Sequence, residues 1–175
     1  MDDHQAVVGQ LGRTMRSAVD VVGRCHLGLP VVVAVPPLLD DGTPFPTRYW
    51  LTCPLARRRI GRVEAAGGIA AAQRRIDTDP AFAAVYHRAM ERYAVARDRL
   101  VDPHYGGPVA GGGVGGSGGG VKCLHAHYAD HAAGNDNPVG AGVAPEIEPF
   151  PCAVGCVTMI GGHPGRNPDW FEPPR

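Results

Sequence analysis

Apolar and polar positions alternate with several different periods along this chain. Val8, Leu11, Met15, Val19 and Val22 recur at three-and-four spacing, which predicts an amphipathic N-terminal helix. Gly9 and Gly12 weaken it, and Gly23, Gly28 and Pro30 end it. Val31 to Val35 is a β-branched run bounded by prolines, the composition of a buried strand. Asp40-Asp41-Gly42 marks a turn, Thr43-Pro44-Phe45-Pro46 prolongs it, and Thr47 to Thr52 reads as a second strand beside the first. Pro54 suits the first turn of a helix through Arg57, Ile60, Val63 and Ala66. Gly67-Gly68 stops or kinks that helix, and Ile69 to Ile76 restarts it. Asp79-Pro80 supplies N-cap and first position for a further helix with an apolar stripe of Phe82, Val85, Tyr86, Ala89, Tyr93, Ala96 and Leu100.

From Pro103 to Gly120 periodicity gives way to glycine. Gly113 to Gly118 has the glycine spacing of a dinucleotide-binding turn, but no strand leads in and no βαβ unit surrounds it, so no nucleotide cofactor is expected. Residues 105–120 read instead as a flexible Gly-rich linker, and residues 157–175 as a disordered C-terminal tail. The expectation is a small, mainly helical α+β fold. It has one domain over residues 1–156, interrupted by the linker, with a short two-strand element.

Composition narrows this further. The 175 residues have room for one ordinary domain, and the 25 glycines and 17 prolines fall heavily in the last third. Formal net charge is zero, so no global field points to nucleic acid or to an anionic membrane. All but one of the 17 positive residues are arginine. Alongside abundant Ala, Gly, Val and Pro this reads as GC-rich coding bias, so the arginine count alone carries no argument for phosphate binding. Met1-Asp2-Asp3-His4 lacks the basic start of a secretory signal, and the apolar run Leu29 to Leu39 is broken by prolines and is shorter than the roughly 20 residues of a spanning helix. A soluble cytoplasmic protein is expected, with no membrane partner. Its five cysteines then read as thiols or metal ligands rather than a disulfide framework.

Candidate chemistry concentrates in Lys122-Cys123-Leu124-His125-Ala126-His127-Tyr128-Ala129-Asp130-His131. Its alanines, with Gly134 as a stop, favour a helix, and Cys123 and His127 then share a face. Thiolate and imidazole are preferred zinc ligands, and Cys53, Cys152 and Cys156 could complete the set. Zinc held by Cys53, Cys123, His127, Cys152 and Cys156 is the first expectation, and an iron–sulfur cluster the second. A rival reading makes Cys123 a nucleophile of a small-molecule enzyme, with Lys122 and His125 as its working groups. No nucleophile signature surrounds it, however. A ligand pocket at the mouth of the strand pair, lined by Asp40, Asp41, Thr43, Thr47 and Arg48 with the aromatics Phe45, Tyr49 and Trp50, is a third reading. Protein-core and turn roles explain the same letters.

Several runs together resemble the mainly actinobacterial domain-of-unknown-function family 501. They are Arg24-Cys25 with Gly28-Leu29-Pro30, Asp41-Gly42-Thr43-Pro44-Phe45-Pro46-Thr47, Leu51-Thr52-Cys53-Pro54, Glu64-Ala65-Ala66-Gly67, Val121-Lys122-Cys123-Leu124-His125-Ala126-His127 and Asn137-Pro138-Val139-Gly140. The resemblance covers residues from about 20 to 156. It implies no reaction. The family's genes tend to lie near those of a septum-formation coiled-coil protein and an exopolyphosphatase, which implies by association an adaptor role in cell division or phosphate metabolism, with the C-terminal tail as the contact region. His26-Leu27 departs from the more cysteine-rich pattern of this junction.

Overall fold

The structure is a computed structural model and describes residues 1–174. It has the expected α+β class: six α-helices and two small antiparallel sheets among the described residues. The N-terminal helix is shorter than its apolar spacing predicts. Helix α1 (Asp3–Leu11) opens on a capping box between Asp2 and Gln5 and closes on Gly12, whose φ of 68° is the left-handed stop that glycine adopts without strain. Of the remaining apolar positions, Met15 and Val19 lie in the connection and pack against Val7, Val33 and Val35, while Val22 falls in strand β1 (Asp20–Arg24), which alternates between exposed and half-buried residues. Val21 pairs with Val33 of β2 (Pro30–Ala34).

Strand β2 is buried along its whole length because it lies between β1 and β3 (Tyr49–Leu51), both antiparallel to it. Helices α2 (Pro54–Ala65), α3 (Gly68–Thr78) and α4 (Pro80–Asp98) follow at the predicted starts. The Asp79 carboxylate caps α4 by accepting the Ala81 and Phe82 N–H groups. Helix α5 (Leu124–Ala132) packs on β3 and against α6 (Pro138–Ile147). Gly140 makes the α5–α6 approach possible, since a Cβ there would run into the His127 carbonyl and the His131 side chain.

Two further segments differ from expectation. The tract at 105–120, read as a linker, is packed: Val114 is 2% exposed, and the buried Arg97 donates to the carbonyls of Gly111 and Gly112 at 3.3 and 2.8 Å. The residues after 156, read as a disordered tail, form a hairpin of β4 (Val157–Ile160) and β5 (His163–Arg166). Gly161 and Gly162 turn it with φ of 57° and 86°. The hairpin lies against α1, Trp170 is buried, and Glu172 pairs with Arg62 at 2.6 Å. No helix among the described residues is long and apolar enough to cross a membrane.

Candidate functional site

Helix α5 begins beside the C-terminal half of α2, and this junction builds the site. Glu64 Oε1 accepts the Leu124 N–H at 2.6 Å and faces His125 Nδ1 at 3.2 Å. The other ring nitrogen, Nε2, lies 3.1 Å from the Arg57 carbonyl oxygen. Both nitrogens therefore face oxygen atoms. Neither is left over as a base toward Cys123. Cys123 is the N-cap of α5, where its sulfur accepts the Ala126 N–H at 3.4 Å. Burial pushes its thiol up, against the smaller downward pull of that N–H. Lys122 donates to the Gly116 carbonyl at 2.8 Å, so it anchors the glycine loop.

Arg57 and His125 stand where two cavities meet. One, of about 360 Å³, has walls of Phe45, Thr47, Tyr49, Trp50, Cys123 and His125. Four of the residues expected around the strand pair are among them; Asp40, Asp41, Thr43 and Arg48 are not. The other, of about 350 Å³, is lined by Gly9, Gln10, Pro54, Arg57, Arg58, His125, Cys156 and Arg166, with no aspartate or glutamate. Arg58 lies 3.7 Å from Glu172, while Arg57 and Arg166 make no ion pair among the described residues. The guanidinium carbons of Arg58 and Arg166 sit 5.2 and 5.5 Å from the centroid of Trp170, which fixes both groups on one wall.

The cysteines divide. Cys53 and Cys156 are buried in the main core and Cys25 and Cys152 pack against it. All five cysteines are free thiols. Burial pushes Cys53 up to about 12, with nearby Cys156 and Cys152 adding to the rise; burial likewise raises Cys156, with Cys25 and Cys152 contributing. Two of these sulfurs accept N–H groups, Cys156 from Gln10 and Cys152 from Trp170, each at 3.5 Å. Of the five residues expected as metal ligands, Cys53 and Cys156 lie in the main core and Cys152 packs against it, as does Cys25. Cys123 lines the aromatic cavity instead. Among the described residues no group of three or more His, Cys, Asp or Glu is placed to hold a metal ion.

His127 is 1% exposed and belongs to a separate buried network. Its Nδ1 lies 3.2 Å from Asn137 Oδ1, Asn137 Nδ2 donates to Asp130 at 2.9 Å, and Arg92 pairs with Asp130 at 2.5 Å. Burial pulls the His127 pKa down to about 4 and pushes that of Asp130 up. Asn137 also caps α6 by accepting the Gly140 N–H, so this network ties α4, α5 and α6 together.

Sequence reasoning missed Gln10, Arg57, Arg58, Glu64 and Arg166 as site residues. Only Glu64 had a signal, its place in the Glu-Ala-Ala-Gly run. Residues 21–144 match the model of a family described as "Protein of unknown function (DUF501)". No curated protein and no solved structure matches the chain. The matched span contains Arg57, Arg58, Glu64, Cys123 and His125, and leaves Gln10, Cys152, Cys156 and Arg166 outside it.

Proposed function

The chain belongs to the DUF501 family of proteins of unknown function, and we propose that it binds a small anionic molecule where the two cavities meet at Arg57 and His125. The observation that carries this is the pair Arg57 and Arg166, neither of which makes an ion pair among the described residues, on the walls of one cavity beside Arg58 and His125. A guanidinium left without an internal counter-ion is a preorganised donor for an oxyanion, and several together select charge as well as shape. The adjoining aromatic cavity offers Thr47, Tyr49 and Trp50 to the uncharged remainder of the ligand. Cys123 and His125 act as walls of this site, since one is a raised, capping thiol and the other has both nitrogens engaged. The five free thiols support a cytoplasmic setting.

Sulfate tests this reading. Saturable binding to the full chain is expected, weakening as salt rises through screening. Arg57→Ala should lower the affinity roughly tenfold or more, the loss of a charge-assisted hydrogen bond. Binding that survives Arg57→Ala unchanged would sink the reading.

A second reading places a soft metal, zinc first, at Cys25, Cys53, Cys152 and Cys156. It is supported by the place of these thiols in or against one core and by the N–H donors to Cys152 and Cys156, the kind of outer hydrogen bond that orients thiolate ligands. Binding would have to draw the sulfurs together. Elemental analysis of freshly purified, untagged protein should then give stoichiometric metal that Cys156→Ser removes and Cys123→Ser retains; a metal-free protein with full stability in chelator rejects it.

A further inference from the structure

Arg57 and His125 line both cavities, so an oxyanion held at Arg57 has the arginine-lined space on one side and the aromatic-lined space on the other. The two spaces differ in chemistry. Beyond Arg57 and His125 no charged residue lines the second, and Phe45, Tyr49 and Trp50 are three of its walls. Contacts elsewhere hold these rings in place before any ligand arrives. Tyr49 meets Tyr93 edge-on with centroids 6.1 Å apart. Phe45 and Trp50 lie 5.7 Å apart, and the Arg13 guanidinium carbon sits 4.6 Å from the Trp50 centroid. Tyr49 and Cys123 pack against one small cluster of Tyr93, Val114 and Ala126, which backs the cavity. Gly115 adds to the lining without bulk: a Cβ built there would meet only the Ala126 Cβ, at 3.7 Å.

We propose that the ligand is an aromatic anion: a planar ring carrying a phosphate or carboxylate, with the charged group at Arg57 and the ring in the cavity of Phe45, Tyr49 and Trp50. The inference rests on the anion-binding reading above and adds the chemical class of the ligand's body. An apolar group of any shape gains by leaving water for this cavity. A planar ring gains more, because its face and edge carry opposite partial charge and pair with fixed aromatic rings in offset or edge-on geometry. The volume of about 360 Å³ lies at the small end of ligand pockets, which suits one ring system rather than a peptide or a lipid chain. Neither cavity is lined by an aspartate or glutamate that would repel the charged group or pair with an amine, so the same ring bearing a positive charge is disfavoured.

The experiment is calorimetric titration of the full chain with phenyl phosphate, cyclohexyl phosphate, benzoate and inorganic phosphate at neutral pH. Phenyl phosphate should bind roughly tenfold more tightly than inorganic phosphate, the gain from burying one ring. It should bind roughly threefold more tightly than cyclohexyl phosphate, the part that depends on aromaticity. Benzoate above phenyl phosphate assigns the carboxylate as the charged group, and the reverse order assigns the phosphate; either order supports the class. Phe45→Leu should weaken phenyl phosphate several-fold more than inorganic phosphate. A second readout places the ring: saturating phenyl phosphate should slow alkylation of Cys123 by iodoacetamide, followed by peptide mass mapping, because that thiol lines the cavity the ring fills. Phenyl phosphate no tighter than inorganic or cyclohexyl phosphate, or Cys123 left unprotected, overturns this inference and leaves the anion reading standing. Binding of none of these anions overturns both. Should Phe45→Leu fail to fold, the ligand series and the protection of Cys123 in the unaltered chain decide the matter.

Discussion

His127 lies between Tyr86, whose ring centroid is 5.9 Å away, and Asn137, and its Nε2 has no partner among the described residues. An imidazole so enclosed stays neutral well below its usual range, with a folded pKa of about 4 against roughly 6.5 in the unfolded chain. Between those values the unfolded state binds the extra proton, so stability is complete above pH 6.5 and declines as pH falls toward 4. Asp130, raised by burial and steadied by Asn137 and Arg92, works in the opposite sense, so a comparison is needed to isolate the histidine. Urea unfolding at pH 7 and pH 4.5 should show the wild-type chain losing about 2 kcal/mol more than His127→Gln does. Equal losses would show that His127 titrates freely in the fold. The same burial explains why a histidine four residues after Cys123, which looks like a ligand on a helical projection, serves as a structural group.

At the level of elements, the start of α5 depends on a residue of another helix. Leu124 N–H is satisfied by the Glu64 carboxylate and Ala126 N–H by the Cys123 sulfur. Glu64→Ala should cost about 1–3 kcal/mol in a denaturant melt, as expected for a lost charged hydrogen bond, and Glu64→Gln should recover part of it. The Ala variant should also weaken anion binding by releasing His125. A melt indistinguishable from wild type would show that Glu64 holds nothing. Helices α2 to α4 were legible in the sequence because their starts are local: proline at a first turn and Asp79-Pro80 need no tertiary partner. The stretch Val19 to Val22 was not, because its valines fit a helical period as well as the alternation of an edge strand, and pairing with β2 decides. The β4–β5 turn was in plain sight as Gly161-Gly162 after Val-Thr-Met-Ile, masked by the surrounding Pro and Gly. Cys123 and His125 were found as reactive side chains. Arg57 was read only as a position of the predicted helix and Glu64 only within the Glu-Ala-Ala-Gly run, and Gln10 and Arg166 meet them only through the fold.

For the molecule as a whole, the two ends of the chain close the site. The hairpin carries Arg166 to α1, while Glu172 reaches Arg62 and the buried Arg59 donates to the carbonyls of Ile147 and Pro149, each at 2.6 Å. A chain ending at residue 156 should melt at a clearly lower temperature and lose anion binding, because Trp170 leaves the core and Arg166 leaves the cavity. Unchanged melting would mean that the hairpin is dispensable. A net charge of zero conceals this local excess: arginine number carried no information, whereas arginine position does. The measurement closest to the central claim is an amide-resolved NMR titration of the full chain with phosphate. Saturable shifts should be confined to Gly9, Gln10, Leu55 to Arg58, His125 and Arg166, and should vanish in Arg57→Ala. No shifts, or shifts centred on the Arg97 and Lys122 contacts of the glycine loop, would contradict the account.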